Sequence, residues 1–115
     1  MSLERVFKTL VNLGLSETDA QIYIFLALKG PKKAGSIVDN LKINKRQIIR
    51  SLKNLQNKRI INENPEKQNT FSALPFEEAL ESLIKTEKKQ TQMMQETKEA
   101  LLSNWRIAVK KNSKK

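Results

Sequence analysis

Asn44 to Arg59 reads N-K-R-Q-I-I-R-S-L-K-N-L-Q-N-K-R, a run with six basic residues and no acidic one. Its apolar residues, Ile48, Ile49, Leu52 and Leu55, recur at helical spacing and form one stripe. With Ile48 at zero and about 100° added per residue, the stripe centres at about 40°, and Arg46, Gln47, Arg50, Asn54 and Asn57 gather opposite it. Such an outward face carries the groups that make paired hydrogen bonds to nucleic acid, guanidinium to guanine and amide to adenine. A charged helix that serves only solubility interleaves both signs, and this one does not.

Working outward, residues 29–59 hold ten basic residues and one acidic one, so nearly all of the chain's +10 charge sits in this block. A polyanionic partner is expected. The 115 residues suffice for one small domain with an extension. Cysteine and histidine are absent, which removes disulfides, thiolate chemistry, the usual zinc sites and the ordinary general base. No uncharged run exceeds nine residues, too short to span a bilayer, so a membrane partner is not expected. Glu77, Glu78 and Glu81 are the only clustered carboxylates, and at a helix start the dipole explains them better than acid-base chemistry; no enzyme is expected. No cofactor, metal or small-molecule effector is indicated.

Toward the N-terminus, Ser2 can cap a helix over Leu3 to Leu13, with Gly14 as its left-handed stop. Ser16-Glu17-Thr18-Asp19 forms a capping box with Asp in the usual Glu position, opening a second helix that ends at Gly30-Pro31. Ile22, Tyr23, Leu26 and Ala27 belong to the core. Lys32 and Lys33 leave room for a token strand, and a two-turn helix from about Gly35 to Leu41 buries Ile37, Val38 and Leu41. Lys42-Ile43 makes the turn, Asn44 caps the basic helix, and Ile43 with Ile48 forms a hydrophobic staple. Short helix, tight turn and basic second helix make a helix-turn-helix.

Past Arg59 the period changes. Ile60 to Asn64 and Asn69 to Ala73 read as strands, the second alternating Phe71 and Ala73 against Thr70 and Ser72, with turn chemistry between them. A hairpin directly after the basic helix is the wing of a winged helix. Pro75 then starts a helix that runs to about Val109, on the order of 50 Å. Its seam, Ile84, Thr91, Lys98 and Trp105 in one heptad position and Leu80, Glu87, Met94, Leu101 and Ala108 in the other, is a weak coiled coil calling for a second copy.

L-G-L-S-E-T-D-A-Q-I-Y (residues 13–23), K-G-P-K-K-A-G-S-I (29–37) and L-P-F-E-E-A-L (74–80) together resemble the TrmB-like family of archaeal winged-helix transcriptional regulators. The resemblance implies a winged helix that binds duplex DNA as a homodimer, with 44–59 as recognition helix and the helix after Pro75 as a dimerising coiled coil. Full-length members carry a C-terminal sugar-binding domain; this chain stops before one, so sugar sensing is not expected of it. Where the family has proline and serine at the start of the recognition helix this chain has Asn44 and Arg46, and Arg59 replaces the usual glycine after it. Lys42 stands where the turn often has glycine and needs an uncomfortable backbone angle.

The expected fold is mainly α with a small β-hairpin: a winged helix-turn-helix over residues 1–75, a coiled-coil dimerisation helix over 76–109, and a disordered basic tail over 110–115. The expected function is a dimeric regulator, cytoplasmic and nucleoid-associated, that reads double-stranded DNA. Lys45, Arg46, Gln47, Arg50 and Asn54 face the major groove; Lys32, Lys33, Ser36, Lys53 and Lys58 hold the backbone; Lys67, Gln68 and Asn69 in the wing touch the flanking groove. Gln47 has a second use open to it, folding back on Asn44 as a capping-box partner. Leu80, Ile84, Met94, Leu101 and Trp105 make the dimer seam. The alternatives are a low-specificity architectural chromatin protein of the same fold, or a winged helix used as a protein-protein interaction module.

Overall fold

In a computed structural model, which describes residues 3–112, eight elements follow one another: α1 (Leu3–Asn12), α2 (Glu17–Lys29), β1 (Lys32–Lys33), α3 (Ala34–Leu41), α4 (Lys45–Asn57), β2 (Ile61–Glu63), β3 (Thr70–Ala73) and α5 (Phe76–Asn112). The order helix, short strand, helix, turn, helix, hairpin is that of a winged helix. Ser2, the expected cap of α1, lies outside the described residues.

Local chemistry sets most boundaries. At the end of α1, Leu15 N–H donates to Leu10 C=O and Gly14 N–H to Val11 C=O, with Gly14 at φ 106°. This is a Schellman stop, and its apolar pair, Leu10 and Leu15, is buried. Leu3, at the start of α1, is exposed, whereas Leu10, two turns on, is fully buried. Helix α2 opens with the reciprocal box: Asp19 N–H donates to Ser16 Oγ at 3.0 Å and Ser16 N–H to Asp19 Oδ2 at 3.2 Å. Asn44 caps α4, its Oδ1 accepting the Arg46 N–H at 2.8 Å.

The end of α4 repeats the Schellman pattern without a glycine. Ile60 N–H donates to Leu55 C=O and Arg59 N–H to Gln56 C=O, over the buried pair Leu55 and Ile60. Arg59 occupies the left-handed position at φ 60°, and Lys42 does the same at the end of α3 with φ 54°. An L-residue there costs about 1–2 kcal/mol, against roughly 0.5–1 kcal/mol of extra chain entropy for glycine. Lys42→Gly and Arg59→Gly are therefore each expected to raise the unfolding free energy by about 0.5–1 kcal/mol. Urea titration at unchanged m-value reads this, and a loss of stability in both would contradict the strain argument.

The core is one cluster. Leu10, Leu15, Ala20, Ile22, Tyr23 and Leu26 from the first two helices meet Ile37, Ile48, Leu52, Leu55, Ile60, Ile61 and Phe71. Val38, Leu41 and Ile43 are only half-buried, packing at its edge. Ala27, expected inside, is exposed with its neighbour Leu28, although Ala20, one heptad earlier on the same face, is buried. Tyr23 is a core residue as expected. Its hydroxyl donates to Leu74 C=O at 2.7 Å, tying α2 to the entry of α5, and burial raises its phenol above the ordinary value.

The sheet departs from a plain hairpin. Strand order is β1-β3-β2, all antiparallel, with Lys32 opposite Phe71 and Lys33 opposite Thr70 on one side, and Ile61 opposite Ala73 on the other. The token strand thus makes β3 central. The predicted alternation along β3 fails for that reason: Thr70 and Phe71 are both buried, while Ser72 and Ala73 are both half-buried.

The chain divides into two compact units, one ending at Lys85 and one beginning at Thr86. The division falls inside α5 and not at Pro75, because Ala79 and Leu83, one turn apart, are fully part of the core. Ser82 Oγ also donates to Lys58 C=O at 3.0 Å, closing the end of α4. Leu80 is half-buried and Ile84 is 40% exposed. In the second unit Met94, Leu101 and Trp105 are 72%, 63% and 67% exposed. Helix α5 continues three residues past the expected end, so Lys110, Lys111 and Asn112, expected in a disordered tail, are helical; residues 113–115 lie outside the described residues. No described helix is long and apolar enough to cross a membrane.

Candidate nucleic-acid interface

The site is built on α4, whose rotation about its axis decides which side chains face out. The buried residues are Ile48, Ser51, Leu52 and Leu55, whereas Ile49 is 39% exposed. On the helical wheel this buried set centres about 50° away from the Ile48-Ile49-Leu52-Leu55 stripe. Ser51 is small enough to let α4 settle closely against α2, and the branched Ile49 is turned out on the opposite flank. Ile49 was expected in the core; its exposure is the main correction on this helix.

The rotation sorts the predicted residues. Arg46, Arg50 and Lys53 stand near the centre of the outward face and are exposed, and among the described residues none makes an ion pair. Gln47 and Asn54 are turned toward α2. Asn54 is half-buried and its amide donates to Asp19 Oδ2 at 2.6 Å; the Gln47 amide reaches Thr18 Oγ1 at 3.5 Å. Gln47 is not used as the capping-box partner of Asn44: its side chain lies toward Thr18 on α2 instead. Lys45 rises on the other flank with Ile49.

Asp19 consequently serves two elements, closing the α2 capping box and holding α4 through Asn54, while only 2% exposed. Asp19→Ala is expected to cost about 2 kcal/mol, since it removes a cap and leaves the Asn54 amide without its acceptor. A urea midpoint unchanged within error would show that packing at Ser51 holds the two helices unaided.

The basic residues outside α4 fall into two groups. Lys32, Lys33 and Lys67 join Lys45 and Lys53 around an open cleft of about 1030 Å³ between α3, α4 and the wing, with Asp39 and Glu63 the acidic residues on its wall. Lys33 precedes α3 without a side-chain cap, and the Ser36 hydroxyl accepts from Asn40 at 3.3 Å, leaving its own proton free to donate. Lys58 stands apart, its ammonium donating to Gly14 C=O at 3.3 Å.

The wing tip is ordered by its backbone. Asn69 adopts φ 63°, its N–H donates to Glu63 Oε2 at 2.8 Å, and its carbonyl accepts from the first amide of α3, Ala34 N–H, at 2.9 Å. Lys67, Gln68 and Asn69 are exposed. The wing is thereby fixed to the start of the helix-turn-helix, a coupling with no signature in the sequence.

Helices α2, α3 and α4 beside a small sheet, with a cationic second helix of a helix-turn-helix facing outward next to an anchored wing, define a winged-helix domain of the nucleic-acid-binding type. The chain belongs to the TrmB family: residues 10–77, more than half its length, match the family described as sugar-specific transcriptional regulator TrmB. Among solved structures, that of TrmBL2, described as an archaeal chromatin protein showing a novel mode of DNA binding, superposes with a TM-score of 0.72 at 19% identity. The match covers 90% of this chain and 40% of that one, so this chain spans well under half the length of TrmBL2. No curated protein matches it.

Proposed function

We propose that this chain is a dimeric transcriptional regulator that binds double-stranded DNA, placing α4 in the major groove and the wing against the flanking groove or backbone. The observation that carries this reading is the set Arg46, Arg50 and Lys53, exposed on one face and without a carboxylate partner among the described residues. Unpaired cations repel one another at no gain to the fold, and a phosphate backbone supplies the missing counter-charge. Lys45, Arg46, Gln47 and Arg50, near the start of α4, read base edges or flanking phosphates; Lys32, Lys33, Ser36 and Lys53 grip the backbone, and Lys67, Gln68 and Asn69 act from the wing. Lys58 already spends one of its three ammonium donors on Gly14 C=O, which holds it near the end of α4. Asn54 supports α4 from beneath. The exposed Met94, Leu101 and Trp105 form the seam on which a second copy pairs, which sets two recognition helices on half-sites.

Titrating duplex DNA at several salt concentrations tests the reading. A dimer that neutralises about eight phosphates gives log affinity against log salt a slope of about −7. A slope shallower than about −2 would overturn it. The second reading, an architectural protein of the same fold, draws on the likeness to TrmBL2, described as a chromatin protein. Selected and random duplexes at matched salt separate the two, a selective reader showing a ratio above about 10³.

A further inference from the structure

The geometry points to Ile49 as a reader of the thymine methyl group, making A·T pairs under the first turns of α4 a determinant of which DNA is bound; this rests on the DNA-binding reading above. Isolated apolar side chains on surfaces are common, so exposure by itself argues nothing. The surroundings of this one are what count. Ile49 lies on the second turn of α4, and on a helix its neighbours are the residues three and four away, here Lys45, Arg46 and Lys53. Leu52, the fourth neighbour, is 3% exposed and already sealed into the core, so Ile49 adds little to the fold from its position. It borders the open cleft toward the wing on one side and the hollow beside Asn44 and Arg46 on the other.

An apolar group ringed by three cations is poorly placed for an apolar partner, which would strand the charges away from water. Duplex DNA satisfies both demands at once. Phosphates meet the cations, and the major groove offers one apolar feature at base level, the C5-methyl of thymine. Residues near the start of a recognition helix are those that reach base edges, and Ile49 is among them.

The experiment compares the full chain binding to an alternating d(A-T) duplex and to the matching d(A-U) duplex, which lacks only the methyl groups, at the same salt. The unmodified protein is expected to prefer the thymine duplex by about fourfold, the effect of burying one methyl-sized group. Ile49→Ala is expected to bind both duplexes alike, at the level of the uracil duplex, and Ile49→Val to keep most of the preference. Equal binding of the two duplexes by the unmodified protein, or a preference that survives in Ile49→Ala, would overturn the inference while leaving DNA binding intact. Failure to bind either duplex at low salt would overturn the functional reading itself and this inference with it. Should Ile49→Ala not fold, the ratio for the unmodified protein together with Ile49→Val decides the matter.

Discussion

Arg46→Glu combined with Arg50→Glu is expected to lower affinity for duplex DNA by at least about a hundredfold at moderate salt, each arginine contributing about 1–3 kcal/mol per protomer before repulsion is added. The same pair is expected to leave the unfolding free energy within about 0.5 kcal/mol, because substitutions on an exposed face without partners seldom do more. Binding and stability should therefore part company. Both side chains are solvent-facing, and neither makes an ion pair among the described residues, so the fold has nothing to lose by the change. Neutral variants, Arg46→Ala and Arg50→Ala, separate two roles. Removing a side chain that reads a base relaxes sequence preference, whereas removing one that binds a phosphate weakens all duplexes alike and makes the salt slope shallower by about one. Unchanged affinity in the double glutamate variant would remove α4 from the interface.

The second large effect is expected on α5. Leu101→Lys with Trp105→Lys puts charge on a stripe that the dimer reading buries, and burial of such side chains is worth roughly 1.5–3 kcal/mol each. With both copies altered, the dimer dissociation constant is expected to rise by more than about a hundredfold, and the variant to sediment as a monomer at micromolar concentration. Its DNA salt slope should fall to about half, since each protomer then neutralises its phosphates alone. A parent chain that is monomeric at the same concentration, or a variant that stays dimeric, would dismiss the seam. Leu80 and Ile84, expected on the same seam, are poorer probes. They neighbour Ala79 and Leu83, which belong to the core, so their replacement would confuse association with folding.

How far the sequence could be read follows from how local each determinant is. The capping box at Ser16 and Asp19, the cap at Asn44 and the stop at Gly14 are interactions between residues a few positions apart, and all were legible. So was the strained turn at Lys42, because a helix-turn-helix needs a left-handed residue there whatever occupies it. The order of elements and the family followed from these. Ala79 and Leu83 were missed because a heptad template fits a helix to a partner helix, and their partner is the globular core beneath.

The candidate site was legible in composition and only partly in orientation. Arg46 and Arg50 face outward on either setting of the wheel, so a rotation of about 50° does not disturb them, and it carries Lys53 from the flank toward the centre of that face. Gln47, Asn54 and Ile49 lie on the flanks, where that rotation changes inside for outside. One clue was present, Ser51, a small residue that marks where two helices come close.

Sequence alone determined which segments are helices, where the capped ones begin and stop, and that one of them is cationic and free of acids, since these depend on neighbours in the chain. Tertiary structure decided how that helix is turned and how the wing is held. Asp19 reaches Asn54 across 35 positions of sequence, and Asn69 meets Ala34 across a similar span. Such pairings form only when the chain has brought distant surfaces together, and the closeness of that approach, not the pattern of any one segment, fixes which side chains are left facing the solvent.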